Sequence, residues 1–189
     1  MNEITKENVR KALDMIQGIL FRGKGGMAEM SKVEGCVEFK LIGPDGDVKQ
    51  QGQTCNLVTS IGDRYVAEAA GLFSSVSAGN ARLGIGATAP AKADTDVKSA
   101  IPGSNIGVSA SYPQYANSFG TGAGHWSVWR FSWGAGSTTN NSIYSIGMFS
   151  DSSATNAGSL FAHALFSANI AKGANDTLQV DWGWKAVGA

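Results

Sequence analysis

Apolar and polar positions alternate with a period of two along most of this chain, and follow a helical period in only two places. The alternation is cleanest near the C-terminus, where Leu178, Val180, Trp182 and Trp184 interleave with Gln179, Asp181, Gly183 and Lys185, predicting a half-buried strand. Over residues 125–133, Trp129, Phe131 and Trp133 share one face while Trp126, Val128 and Arg130 share the other. A strand with large apolar groups on both faces belongs in the middle of a sheet or at an interface. Residues 33–42 set Val37, Phe39 and Leu41 against Glu38 and Lys40, Gly43-Pro44-Asp45-Gly46 turns the chain, and residues 48–54 return as a more polar strand. Further strands are predicted over 143–149 and 160–170, the latter with Leu160, Ala162, Ala164 and Phe166 on one side. Gly173-Ala174-Asn175-Asp176 turns into the last strand.

The first helical pattern covers residues 5–20, with Thr5 as cap and Val9, Leu13, Ile16 and Leu20 in one stripe. Lys6, Glu7, Arg10, Lys11, Asp14 and Gln17 cover its other side, and Phe21-Arg22-Gly23-Lys24-Gly25-Gly26 follows as a hinge. The stripe either docks on a partner or sister subunit, or packs on its own domain. In the docking reading Val9, Leu13, Ile16, Leu20, Arg22 and Lys24 bind the partner. The second helical pattern covers residues 60–72, with Ser60 and Asp63 as a capping box and Ile61, Tyr65, Ala69 and Leu72 as the apolar stripe. It is expected to cover one end or edge of a sheet.

Residues 82–96 divide a mixed N-terminal half of the chain from a β-rich C-terminal half; in them Leu83 and Ile85 are apolar at period two and Gly84 and Gly86 fill the opposite face. Such a face admits close approach by another backbone. Residues 87–124 are weakly patterned, with room for short strands. Tyr112 and Tyr115 beside Pro113 read as surface-packed tyrosines in preference to a contact patch. Many strands, frequent turns and few helices predict a mostly β fold: an antiparallel β-sandwich, jelly-roll-like, with an N-terminal helix and one short helix after the first hairpin. Residues 1–26 form a docking or oligomerisation segment and residues 27–189 the β-sandwich domain.

Composition narrows the classes of function. A length of 189 residues suits one domain with an appendage, and the 16% of charged residues falls below the usual ~25%. Net charge is +0, which weighs against a nucleic-acid partner and favours self-association. The polar N-terminus has no signal-peptide pattern, and no apolar run approaches the ~18 residues of a membrane span. Synthesis in the cytosol, with no membrane partner, is expected. Cys36 and Cys55 fall close together across the first hairpin, and a reducing cytosol favours two free buried thiols over a disulfide.

The chemistry is sparse. Gly23-Lys24-Gly25-Gly26 lacks the Ser or Thr and the strand–loop–helix setting of a phosphate loop. His163 lies inside a strand pattern between Ala162 and Ala164, where a structural role is favoured over a catalytic one. Asp45/Asp47 and Asp94/Asp96 are acidic pairs of the kind that hold calcium, but the full loop pattern is missing and turn capping accounts for them. Trp126, Trp129, Trp133, Trp182 and Trp184 offer stacking surfaces for sugars, against which core packing is the favoured reading. No catalytic residue, cofactor or metal is predicted.

Several phrases, taken in order, carry a resemblance. Asn56-Leu57-Val58-Thr59 with Gly62 leads into a short helix. Leu83-Gly84-Ile85-Gly86, Thr88-Ala89-Pro90 and Asp94-Thr95-Asp96 follow, then Ser145-Ile146-Gly147-Met148-Phe149, Leu160-Phe161-Ala162-His163-Ala164, and finally Leu178, Val180 and Trp182. The set resembles small accessory structural proteins of tailed bacteriophages: head decoration, head fibre and tail proteins. The resemblance implies a non-enzymatic virion protein that decorates or reinforces the capsid, found in the virion and in the host cytoplasm during assembly. The implied partners are further copies of itself, most plausibly as a homotrimer, and the major capsid or other virion proteins. The alternative is a tail-associated receptor- or glycan-binding module.

Overall fold

The computed structural model describes residues 32–70, 79–120, 122–150 and 159–187. The predicted N-terminal helix and hinge lie outside them. The first hairpin forms as its alternation demands: β1 (Lys32–Ile42) and β2 (Val48–Val58) pair antiparallel, with Cys36 opposite Cys55 and Phe39 opposite Gly52. β2 runs four residues past the expected end at Thr54. Cys55 still pairs with β1, and the last three residues leave it to pair with β8 (Leu160–Lys172), placing Asn56, Leu57 and Val58 opposite Ala164, His163 and Ala162. One strand therefore serves two partners, and the sheet curls at this corner.

The helix α1 (Ser60–Ala70) follows at once. Its cap is Thr59 and not Ser60: the Gly62 amide donates to Thr59 Oγ1 at 3.1 Å, and the Asp63 amide donates to the Thr59 carbonyl. Thr59 prevails because its hydroxyl is buried and also reaches the Leu160 carbonyl at 2.5 Å, fixing the helix start to β8. A Cβ at Gly62 would lie 2.2 Å from the Phe161 carbonyl oxygen, so the helix backbone rests directly on the strand. Tyr65 then packs edge-on against Phe161.

The remaining strands are β3 (Asn80–Gly84), β4 (Ile106–Gly107), β5 (Gln114–Phe119), β6 (Gly122–Trp133), β7 (Asn140–Phe149) and β9 (Thr177–Val187). Among the described residues they join one antiparallel nine-stranded sheet in the order β4-β3-β7-β8-β2-β1-β9-β6-β5. β4 and β5 are the short strands of the weakly patterned segment. β6 starts three residues earlier than its aromatic alternation indicates. β3 ends at Gly84, so Ile85 lies beyond the strand and is exposed, in contrast to Leu83. The fold is mostly β with one short helix after the first hairpin.

The core fills the inner side of the curl. Val37, Phe39 and Leu41 of β1, Phe131 and Trp133 of β6, and Leu178, Val180 and Trp182 of β9 meet Leu83, Ile143, Ile146, Ala162, Ala164 and Phe166 from β3, β7 and β8. Phe39 and Phe166 touch edge to face at 5.1 Å. Asn56 reaches across the position of Gly35 to accept a 3.2 Å hydrogen bond from Trp182 Nε1, and only glycine at 35 leaves room for it. Four of the five tryptophans belong to this packing, Trp133 and Trp182 buried and Trp129 and Trp184 partly buried against the core, while Trp126 is buried in a separate cluster with Cys36 and Val128.

Candidate functional site

The residues expected to bind a partner, Val9, Leu13, Ile16, Leu20, Arg22 and Lys24, lie outside the described residues. Chemistry within them gathers at two places on the outward faces of the sheet.

The first is built where residues 87–105 cross β3, β7 and β8. Gly84 and Gly86 make the crossing possible: a Cβ at either would collide with the backbone of Lys98. The amides of Ile85 and Gly86 donate to the carbonyls of Ser99 and Lys98, so the glycine face admits a backbone of the same chain. Val97 then packs on Phe149 and Leu160. Beside it, Asp94 accepts hydrogen bonds from the Ala91 amide at 2.9 Å and from Lys98, and its Oδ2 lies 3.0 Å from His163 Nδ1. Arg82 joins Asp96 at 2.8 Å, and Lys92 joins Asp63 of α1 at 2.5 Å.

Burial disfavours the Asp94 carboxylate, but hydrogen bonds from Lys98, Ala91 and His163 outweigh it and hold its pKa down to about 2. Burial lowers the His163 pKa against the pull of Asp94, so the imidazole is neutral, with Nδ1–H directed at the carboxylate. This is the orientation of a His–Asp pair in a general base. Here, though, His163 has no solvent-exposed surface, and its Nε2 is buried without a hydrogen-bond partner. Ser145 is also buried, its hydroxyl without a partner and against the Cβ position of Gly84. The arrangement fastens residues 87–105 to the sheet and keeps the His163 imidazole and the Ser145 hydroxyl away from solvent. The acidic pair Asp94/Asp96 is divided between these partners.

The second place is the outward face of β1, β9, β6 and β5. The β5–β6 hairpin folds its end across this face: Phe119 lies over Gly183, where a Cβ would sit 2.3 Å from the ring, and Gly120 lies over the Cys36 sulfur. Trp126, Val128 and Cys36 are buried beneath. Arg130 grips Asp181 through two hydrogen bonds of 2.7 and 2.8 Å and stacks over Tyr112. Tyr115, 63% exposed, stacks on His125 at 5.6 Å, and its hydroxyl meets His125 Nδ1 and Asn117 Oδ1. Tyr112 is thus packed under Arg130, while Tyr115 is presented to solvent. The tryptophans, for which core packing is favoured over sugar stacking, are buried at Trp126, Trp133 and Trp182 and partly buried at Trp129 and Trp184.

Sequence reasoning missed Lys172, a buried lysine whose Nζ donates to the carbonyls of Gly134 at 3.0 Å and Ser137 at 2.7 Å. Burial lowers its pKa. Its place at the polar end of the β8 pattern offered no signal. Cys55, expected to be buried, is exposed, while Cys36 is buried. No helix among the described residues is long and apolar enough to cross a membrane.

Comparison with family models, curated proteins and solved structures finds no match to the chain.

Proposed function

We propose that this chain is a non-enzymatic structural protein of a tailed-bacteriophage particle, a jelly-roll-like β-sandwich that self-associates and decorates or reinforces the capsid. The observation that carries the reading is a neutral margin of the sheet, among the described residues. β5 ends the strand order, and its residues Gln114, Tyr115, Ala116, Asn117, Ser118 and Phe119 include no charge. Soluble proteins usually guard such an edge with charged side chains. A neutral edge on a chain of zero net charge suits a protein that ends in an assembly. The ordered phrases support the same reading, since each has a building role: Asn56 ties β2 to β9, Thr59 fastens the helix, and Gly84 and Gly86 seat residues 87–105.

In this reading the stripe Val9, Leu13, Ile16 and Leu20, with Arg22 and Lys24, docks the chain on the particle, and burial of apolar area at roughly 25 cal/mol/Å² holds it there by mass action. Removal of residues 1–26 is expected to abolish incorporation into particles while the β domain keeps its melting temperature. Co-sedimentation with particles, beside a thermal melt of the free protein, measures both. A truncated chain that joins particles normally refutes the docking role.

A further inference from the structure

The two cysteines stand at the corner where the sheet changes partners. Cys36 and Cys55 are directly opposed in the β1–β2 register, and the next residue of β2, Asn56, pairs with β8. Opposed residues of an antiparallel pair have Cα atoms about 4.5 or 5.5 Å apart, depending on the hydrogen-bonding phase. Both spacings fall within the ~4.4–6.8 Å that a disulfide spans. Opposed side chains share a face, and here the shared face is the outward one. Gln53, two residues from Cys55, confirms it by donating from Nε2 to Cys36 Sγ at 2.9 Å.

The two thiols differ in access. Cys55 is exposed. Cys36 lies under the β5–β6 hairpin end, with the Cβ position of Gly120 2.7 Å from its sulfur. Burial raises the Cys36 pKa, opposed by the Gln53 hydrogen bond, and Glu38 and Cys55 raise it further. An entering oxidant therefore meets Cys55 first, and Cys36 acts second.

We propose that Cys36 and Cys55 are a dithiol–disulfide site that takes a low-molecular-weight disulfide such as glutathione disulfide as its oxidant and locks the β2 corner when the protein leaves a reducing compartment. The Cys55 thiolate attacks one sulfur of glutathione disulfide, its S–S bond breaks, and one glutathione leaves as thiolate. Cys36 then gives up its proton and attacks the Cys55 sulfur, and the second glutathione leaves. The protein loses two hydrogens and two electrons, and the oxidant becomes two glutathione thiols. The closed bond joins β1 to β2 at the last pair before β2 crosses to β8, so it pins the point on which the curl of the sheet depends.

The test uses the full-length chain, reduced and then exposed to glutathione disulfide, quenched with a thiol alkylator, and read by intact mass and peptide mapping. The expected result is a transient Cys55 glutathione adduct, then a Cys36–Cys55 linked peptide, with a melting temperature higher by roughly 5–10 °C. Cys55→Ser removes both the link and the shift. Cys36→Ala stops the reaction at the Cys55 adduct. A wild-type chain that stops at that adduct, that forms only intermolecular dimers through Cys55, or that forms the link with no gain in melting temperature overturns the proposal. Cys55→Ser alters an exposed position, so its folding under reducing conditions serves as the control.

Discussion

The two outward faces of the sheet meet the same requirement by different chemistry. Both are covered by a segment of the chain that is not part of the regular strand pattern they shield. Over β3, β7 and β8 the cover is residues 87–105, fastened by Asp94, His163, Lys98, Arg82 and Asp96 around a small apolar contact at Val97. Over β1, β9, β6 and β5 the cover is the β5–β6 hairpin end, held by Phe119 on Gly183 and Trp126, with Val128 and Cys36 below. The first cover is ionic and hydrogen-bonded, so its strength depends on protonation. The second is apolar and shape-matched, so its strength depends on volume. The buried Asp94–His163 pair thus ties the first cover to pH, while the contact of Phe119 with Gly183 and Trp126 in the second carries no titratable group.

The largest expected effect comes from breaking the ionic cover. Asp94→Ala leaves the buried His163 and the Lys98 ammonium without their shared acceptor. Removal of one partner of a buried pair typically costs about 3–5 kcal/mol. Chemical denaturation at neutral pH is expected to show a loss near the lower end of that range, since Lys98 is 39% exposed and regains water. Unchanged stability would mean that residues 87–105 are held by backbone contacts and Val97 alone.

Next in size is the apolar cover. Gly183→Ala places a methyl group against the Phe119 ring, which must move off β9. Overpacking of this kind costs about 1–3 kcal/mol. The comparison sharpens when the two variants are measured together. The Gly183→Ala loss should be the same at pH 5 and pH 3, whereas the Asp94→Ala loss should shrink below about pH 4, where the unfolded carboxylate takes up its proton and the native one, held down to about 2, resists. A Gly183→Ala loss that varies with pH would make the two covers alike after all.

The contrast also explains what could be read in the sequence. Faces packed by alternation were legible: Leu178, Val180 and Trp182 lie inward as their spacing predicts, and the double-sided apolar pattern of Trp126 to Trp133 marks a strand with both faces covered. Contacts that join distant segments through polar groups were not. Asp94 and His163 are 69 residues apart and follow no period. Asn56 needs Gly35 on one strand and Trp182 on another, and none of the three signals the others. β5 could be foreseen only as a short strand without a position within residues 87–124, because its residues are mostly polar and lack the apolar alternation that marks a strand. Thr59 displaced Ser60 as cap because a tertiary contact to β8 outweighs a local capping pattern. The candidate docking residues lie outside the described chain, so the β domain accounts for how a stable body is built and leaves their role to the truncation experiment.

The smallest effect tests the ionic face by titration alone. His163 has a pKa lowered below 6.5 by burial, so the fold binds fewer protons there than the unfolded chain does. Its contribution is fully present above pH 6.5 and is lost as pH falls below it. Asp94, depressed from 3.8 to about 2, adds a second loss that begins below about pH 4 and continues toward pH 2. The melting temperature should therefore decline in two stages on acidification, the first set by the histidine and the second by the carboxylate. His163→Gln keeps an amide to donate to Asp94 but has no proton to take up, so it should erase the first stage and keep the second. Thermal melts from pH 8 to pH 3 distinguish these outcomes. If His163→Gln follows the wild-type curve through pH 6, the sensitivity belongs to another group, and the two covers differ in composition without differing in response.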